Sequence, residues 1–118
     1  MSDKALKYDG DKPMVALIPP RALEAEARVW SYGARKYSSW NWTKGIVFSR
    51  IVSAMLRHTL EIMKGNHIDP ETGEYHAAAI RCNAGMLIEF LETNRTELDD
   101  LMYSDRDKGG SHGTGEFK

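Results

Sequence analysis

The stretch Phe48-Ser-Arg-Ile-Val-Ser-Ala-Met-Leu-Arg-His58-Thr-Leu-Glu-Ile-Met-Lys64 decides what kind of molecule this is. Ile51, Met55, His58 and Ile62 recur at three- and four-residue steps, which sets them on one stripe of a helix. Gly65-Asn66 follows where such a helix stops, glycine being the usual residue past a C-terminus. The stripe is apolar apart from its histidine. A buried polar side chain costs about 1–3 kcal/mol unless it finds a partner. His58 therefore calls for polar neighbours on a facing element.

Downstream, Asp69-Pro70-Glu71-Thr72-Gly73 reads as a turn, with proline and glycine as punctuation. A further helix is expected from there to about Thr93, capped by Asp69 or Thr72. Its inner stripe reads His76, Ile80, Asn83, Leu87, Phe90 and Leu91. A short helix is expected over Thr96–Tyr103. Residues 104–118 are glycine-rich and charged, with almost nothing to bury, and read as a disordered tail.

Upstream, Pro19-Pro20 opens a helix, because proline suits the first turn. Leu23, Ala27, Trp30, Ala34 and Tyr37 give it an apolar face, and Ser38 through Gly45 break it. Residues before Pro19 read as an extended arm, at most an edge strand, whose apolar end Met14–Ile18 packs on the helices. The expectation is all-α: a compact three- to four-helix bundle over residues 1–103, with an extended N-terminal arm and a disordered C-terminal tail.

At 118 residues the chain makes one domain. Its net charge of −1 gives no basis for attraction to a nucleic-acid polymer or an anionic membrane. No apolar run reaches the roughly 18 residues of a membrane span, and the N-terminus lacks the apolar core of a secretory signal. A single cysteine, Cys82, allows no internal disulfide and fits a reducing compartment. The reading is a cytoplasmic protein, in the host cytoplasm if the source is a virus.

His58, His76 and Asn83 all fall on inward stripes, so one shared polar network is the simplest arrangement. Acids surround it in sequence: Glu61 one turn after His58, Asp69 and Glu71 on the loop between the two histidine-bearing helices, and Glu24 near the start of the first helix. Imidazole and carboxylate together suit Mn²⁺ or Co²⁺, and carboxylates alone suit Mg²⁺. Plainer roles exist for each: a satisfied core histidine, an N-cap at Asp69, a solvated Glu61 paired with Arg57. Arg35, Lys36 and Arg57 can clamp phosphate, although basic residues also favour a helix C-terminus on dipole grounds. Tyr37, Trp40 and Trp42 can stack on a base or simply lid a small core.

Taken in order, several runs resemble one family. They are Asp11-Lys12-Pro13, Leu17-Ile18-Pro19-Pro20, Ala22-Leu23-Glu24, Gly33-Ala34-Arg35-Lys36-Tyr37, Asn41-Trp42-x-x-Gly45, Arg57-His58 and Asp69-Pro70-Glu71-Thr72-Gly73-x-x-His76. They are similar to the N-terminal-type domain of phage dATP/dGTP diphosphohydrolases, grouped with helical MazG-like nucleotide pyrophosphohydrolases. The resemblance spans about residues 7–91. It implies divalent-metal-dependent release of pyrophosphate from purine deoxynucleoside triphosphates. It further implies Glu24, His58, Asp69, Glu71 and His76 near the metal, Arg35, Lys36 and Arg57 near the phosphates, and Tyr37 and Trp42 near the base. Glu61, Glu71 or His58 would take the proton from water. The Glu-x-x-Glu pairs of the better-known pyrophosphohydrolases have literal matches only at Glu71/Glu74 and Glu89/Glu92, off the histidine-bearing faces. The alternative is a non-catalytic phage protein that sequesters a nucleotide. A site this large on so few helices points to a homo-oligomer that shares it between chains.

Overall fold

The computed structural model describes residues 4–103; the tail expected over 104–118 lies outside the described residues. Three helices carry the fold: α1 (Pro20–Lys36), α2 (Phe48–Met63) and α3 (His76–Glu92), with single 3₁₀ turns at Val15–Leu17, Asn41–Lys44 and Thr96–Leu98. No strand occurs among the described residues, only an isolated antiparallel bridge between Ile68 and Tyr75. No helix among them is long and apolar enough to cross a membrane.

The helix ends follow from local chemistry. Pro20 sits in the first turn of α1, and Arg35 and Lys36 in its last turn face the negative end of the dipole. The N-terminus of α2 has no local cap. Asp100, arriving from beyond α3, instead accepts the Ser49 backbone N–H at 2.8 Å and its hydroxyl at 2.5 Å, meeting an orphan donor with a negative charge. Gly65 closes α2 at φ +90, and Asn66 N–H reaches back to the Glu61 carbonyl at 2.9 Å. Asn94 does the same for α3 at φ +59, with Arg95 N–H on the Phe90 carbonyl at 2.9 Å.

α2 and α3 pack against each other and α1 lies on the other flank of α3. Phe48, Ile51, Phe90 and Leu98 form the buried centre, with Trp42, Met55 and Met86 packed around it. This core sits where α2 begins and α3 ends. The histidines lie at the opposite end of the same helix pair, so the core fixes one end while polar chemistry occupies the other.

Several expectations need correcting. The apolar end of the arm does not pack on the helices: Met14, Val15 and Leu17 are 60–77% exposed. On α1 the inward face is rotated, with Ala25 buried and Val29 half-buried while Leu23 and Ala27 are exposed. The pattern misleads there because α1 is bordered by acids that reach inward: Glu26 accepts from Trp30 Nε1 at 3.0 Å and from Arg81 at 3.1 Å. Neither Asp69 nor Thr72 caps α3. Tyr75 occupies the cap position, and the His76 N–H is met by the His67 carbonyl at 2.9 Å. Past α3 a single 3₁₀ turn forms in place of a helix to Tyr103.

Candidate functional site

α2 and α3 bring His58 and His76 face to face, their Nδ1 atoms 2.8 Å apart. Asp69, on the connecting loop, completes a trio that can offer three ligand atoms within 4.8 Å of one another. His76 is 5% exposed, and its Nε2 has no hydrogen-bond partner. His58 is half-buried and is held below the usual imidazole range, first by burial and then by the charge of His76. It is therefore neutral at pH 7, with a lone pair available. Two basic nitrogens at 2.8 Å must share a proton or a cation, since two bare lone pairs repel. Imidazole nitrogens beside a carboxylate form a donor set that suits a divalent transition ion.

The loop that carries Asp69 is ordered by its own turn and by α1. Asp69 Oδ1 accepts the Glu71 N–H at 2.9 Å, and Thr72 Oγ1 accepts the Glu74 N–H at 3.0 Å. Glu71 accepts from Tyr32 at 3.1 Å and Lys36 at 3.0 Å; Glu74 accepts from Arg28 at 2.7 Å. These contacts hold Glu71 below the ordinary carboxylate range, Lys36 acting most strongly and Tyr32 after it. Glu61 is likewise held low by Asn66 at 3.0 Å and Lys64 at 3.3 Å. Both acids flank the trio and are ionised at neutral pH.

Beside the trio opens a cavity of about 890 Å³, lined by His58, Asn83, Arg50, Tyr37, Trp30 and Trp42 among others. That volume suits a small organic ligand. Trp42 stands between Trp30 and Phe90, with ring centroids 5.3 and 5.6 Å away. Trp40 takes the left-handed conformation at φ +66, which lets the chain turn so that Trp40 is 72% exposed at the mouth while Trp42 points inward. Asn83 Nδ2 donates to the Ala79 carbonyl at 2.9 Å. The expected shared network therefore reduces to the histidine pair, and Asn83 lines the cavity separately. Cys82, also on the wall, is buried, and burial pushes its thiol up to about 12.

The residues singled out in the sequence thus divide. His58, Asp69 and His76 come together, with Glu61 and Glu71 beside them. Tyr37 and Trp42 line the cavity. Lys36 is taken up by Glu71 and lies over the rings of Tyr37 at 5.3 Å and Tyr32 at 6.0 Å. Glu24 is exposed on α1 outside the trio, and Arg35 and Arg57 are exposed and do not line the cavity. Sequence reasoning passed over Arg50 and treated Trp30 as core. Eight residues before His58, Arg50 stands about 80° away from it around α2, so only the flanking loop, and not helical spacing, brings both to one cavity.

The family described as "dATP/dGTP diphosphohydrolase, N-terminal" matches residues 2–101. A protein of Salmonella phage PMBT28 named dATP/dGTP diphosphohydrolase is 40% identical over 99 residues, covering 84% of this chain and 33% of its own length. The chain thus spans about a third of that relative. No solved structure matches.

Proposed function

The chain belongs to the dATP/dGTP diphosphohydrolase N-terminal family, and on that premise we propose that it binds purine deoxynucleoside triphosphates and hydrolyses them to monophosphate and pyrophosphate with a divalent metal. The observation that carries this reading is the double membership of His58, which belongs to the trio with Asp69 and His76 and also lines the aromatic cavity. His58, Asp69 and His76 would hold Mg²⁺, Mn²⁺ or Co²⁺. Such an ion, when bound, supplies charge neutralisation of phosphate and an acidified water.

The chain's own groups provide the rest. Trp42, backed by Trp30 and Phe90, offers a rigid face for a base, and Tyr37 borders it. Such stacking is worth about 1–3 kcal/mol per base. Arg50 lines the cavity and can meet phosphate oxygens with its planar fork. Glu71 or Glu61 would accept the proton of the attacking water, each being ionised at neutral pH. The protein would act in the cytoplasm of a phage-infected cell, as a homo-oligomer. Incubation with dATP or dGTP and Mn²⁺, with pyrophosphate as readout, tests the reaction. Absence of pyrophosphate with every nucleoside triphosphate sinks it.

One observation favours a second reading, a binding module that sequesters nucleotide without cleaving it: both candidate acids are engaged by cations or amides. Calorimetry in EDTA separates the two: tight nucleotide binding without metal and without turnover selects the module.

A further inference from the structure

At 100° per residue, α2 and α3 each present two distinct sides around their shared seam. Arg50 and His58 on α2, with Cys82 and Met86 on α3, face the cavity. The reverse side carries Leu56, Leu60 and Met63 on α2 and Ile88 and Leu91 on α3, which are 58, 53, 76, 61 and 48% exposed. Because the helices run antiparallel, the two reverse stripes lie on the same side of the pair. The positions between them are Val52, Thr59, Ala77, Ile80 and Ala84, and charge stands only at the edges, with Lys64 one turn past Leu60, Glu92 one turn past Ile88, and Arg81 turned to Glu26 of α1.

At roughly 100 Å² apiece, the five large side chains leave on the order of 500 Å² of apolar surface bare, at the upper end of what one patch on a monomer shows. With the smaller residues between them the face approaches the roughly 800 Å² per partner of a stable interface.

We propose that this reverse face of α2 and α3 is the surface through which two copies of the chain pair about a two-fold axis, building a four-helix layer. The occupant is a second copy because a two-fold contact sets each face against itself, and a face with an uncharged centre and edge charges of both signs does so without like-charge repulsion at its middle. The pairing gives the oligomer of the functional reading a definite surface and does not depend on its chemistry. It also alters one expectation. The cavities lie on the outer sides of the pair, so each site is complete within one chain rather than shared.

The test is sedimentation equilibrium of the whole chain, with Leu60→Glu and Ile88→Lys as variants. Both positions are exposed in the monomer, so circular dichroism should show unchanged helix content. The wild type should sediment at twice the mass of one chain. Each variant should weaken self-association at least about 100-fold, because each pair of copies would bury uncompensated charge. Mixing the two variants should restore a dimer through opposite charges. A wild type that stays monomeric into the high micromolar range overturns the proposal, and so does a dimer that both variants leave intact. Pyrophosphate release plays no part in the readout, so failure here is separate from failure of the proposed reaction.

Discussion

Gly45→Ala probes how the base-binding side of the cavity is held. Gly45 sits at φ +118, ψ 132, a conformation that costs an L-residue about 1–3 kcal/mol. The site is also crowded. A Cβ there would stand 2.9 Å from Arg95 Nη2 and 3.1 Å from Leu98 Cδ2. The Arg95 tip could swing away, but it donates to the Thr43 carbonyl at 3.1 Å and the Lys44 carbonyl at 3.4 Å. Moving it releases the loop that carries Trp42 from the end of α3. Leu98 is buried against Phe48 and Phe90 and cannot retreat without opening the core. Adding about 1 kcal/mol for those hydrogen bonds to the backbone cost gives about 2–4 kcal/mol, a fall in Tm of roughly 8–16 °C for a domain of this size. Gly65→Ala is the internal control: φ is +90, but nothing lies within 4 Å of its Cβ, so it should lose only the backbone part, about 1 kcal/mol. Thermal denaturation of the two variants side by side checks this. If Gly45→Ala is no worse than Gly65→Ala, Arg95 and Leu98 are not latching the loop, and the packing argument fails.

Asp69→Asn keeps the oxygen that accepts the Glu71 N–H while removing the charge, so Mn²⁺ affinity by calorimetry should fall at least about tenfold with the helix content preserved. Because burial holds the His58 pKa below its ordinary value, the unfolded chain binds more protons than the folded one just under about pH 6.5. Stability from this group is therefore complete above that pH and lost as pH falls toward the folded-state value. The urea midpoint should be higher at about pH 7.5 than at about pH 5.5, and His58→Gln should narrow the gap; an unchanged gap removes His58 as its source. Glu61 and Glu71, both held low, act only in the more acidic carboxylate range and do not confound that window. Cys82, buried with its thiol pushed up to about 12, should not react with a thiol reagent until the chain is unfolded; rapid labelling of the native protein would contradict its placement.

The helices were legible because the sequence marks their ends with strong local signals: Pro19-Pro20 at one start, Gly65-Asn66 at one end. The histidine pair was legible for a different reason, since a polar residue on an apolar stripe must be answered by another. What stayed hidden were contacts between residues far apart in sequence. Nothing near Ser49 announces that Asp100 will serve its N-terminus, and nothing near Lys36 announces Glu71. Glu24 reads as inward because Leu23 and Ala27 beside it belong to the apolar pattern of α1. The true face is turned toward Ala25 and Val29, with Glu26 bridging to α3. On α3, small Ala78 and Ala79 are buried while large Ile88 and Leu91 are bare, a reversal that pattern reading cannot detect, because it assumes the helix has a single partner.

The same long-range pairs decide which cations remain for a nucleotide. Lys36 and Arg28 are engaged by Glu71 and Glu74, Arg81 by Glu26, and Arg95 by Glu97 and two carbonyls. Their work is to fasten the loop carrying Asp69 to α1, to join α1 to α3, and to fasten the loop carrying Trp42 to the end of α3. Each latch therefore holds one half of the candidate site, metal trio or aromatic wall, against a helix. Arg50 alone among the cavity-lining residues is a permanent cation, and no acid is paired with it among the described residues. Trimming it to Gln should leave the helices and all three latches in place while weakening triphosphate far more than nucleoside. Equal weakening of both would move the phosphate end of the ligand away from Arg50 and out of this cavity.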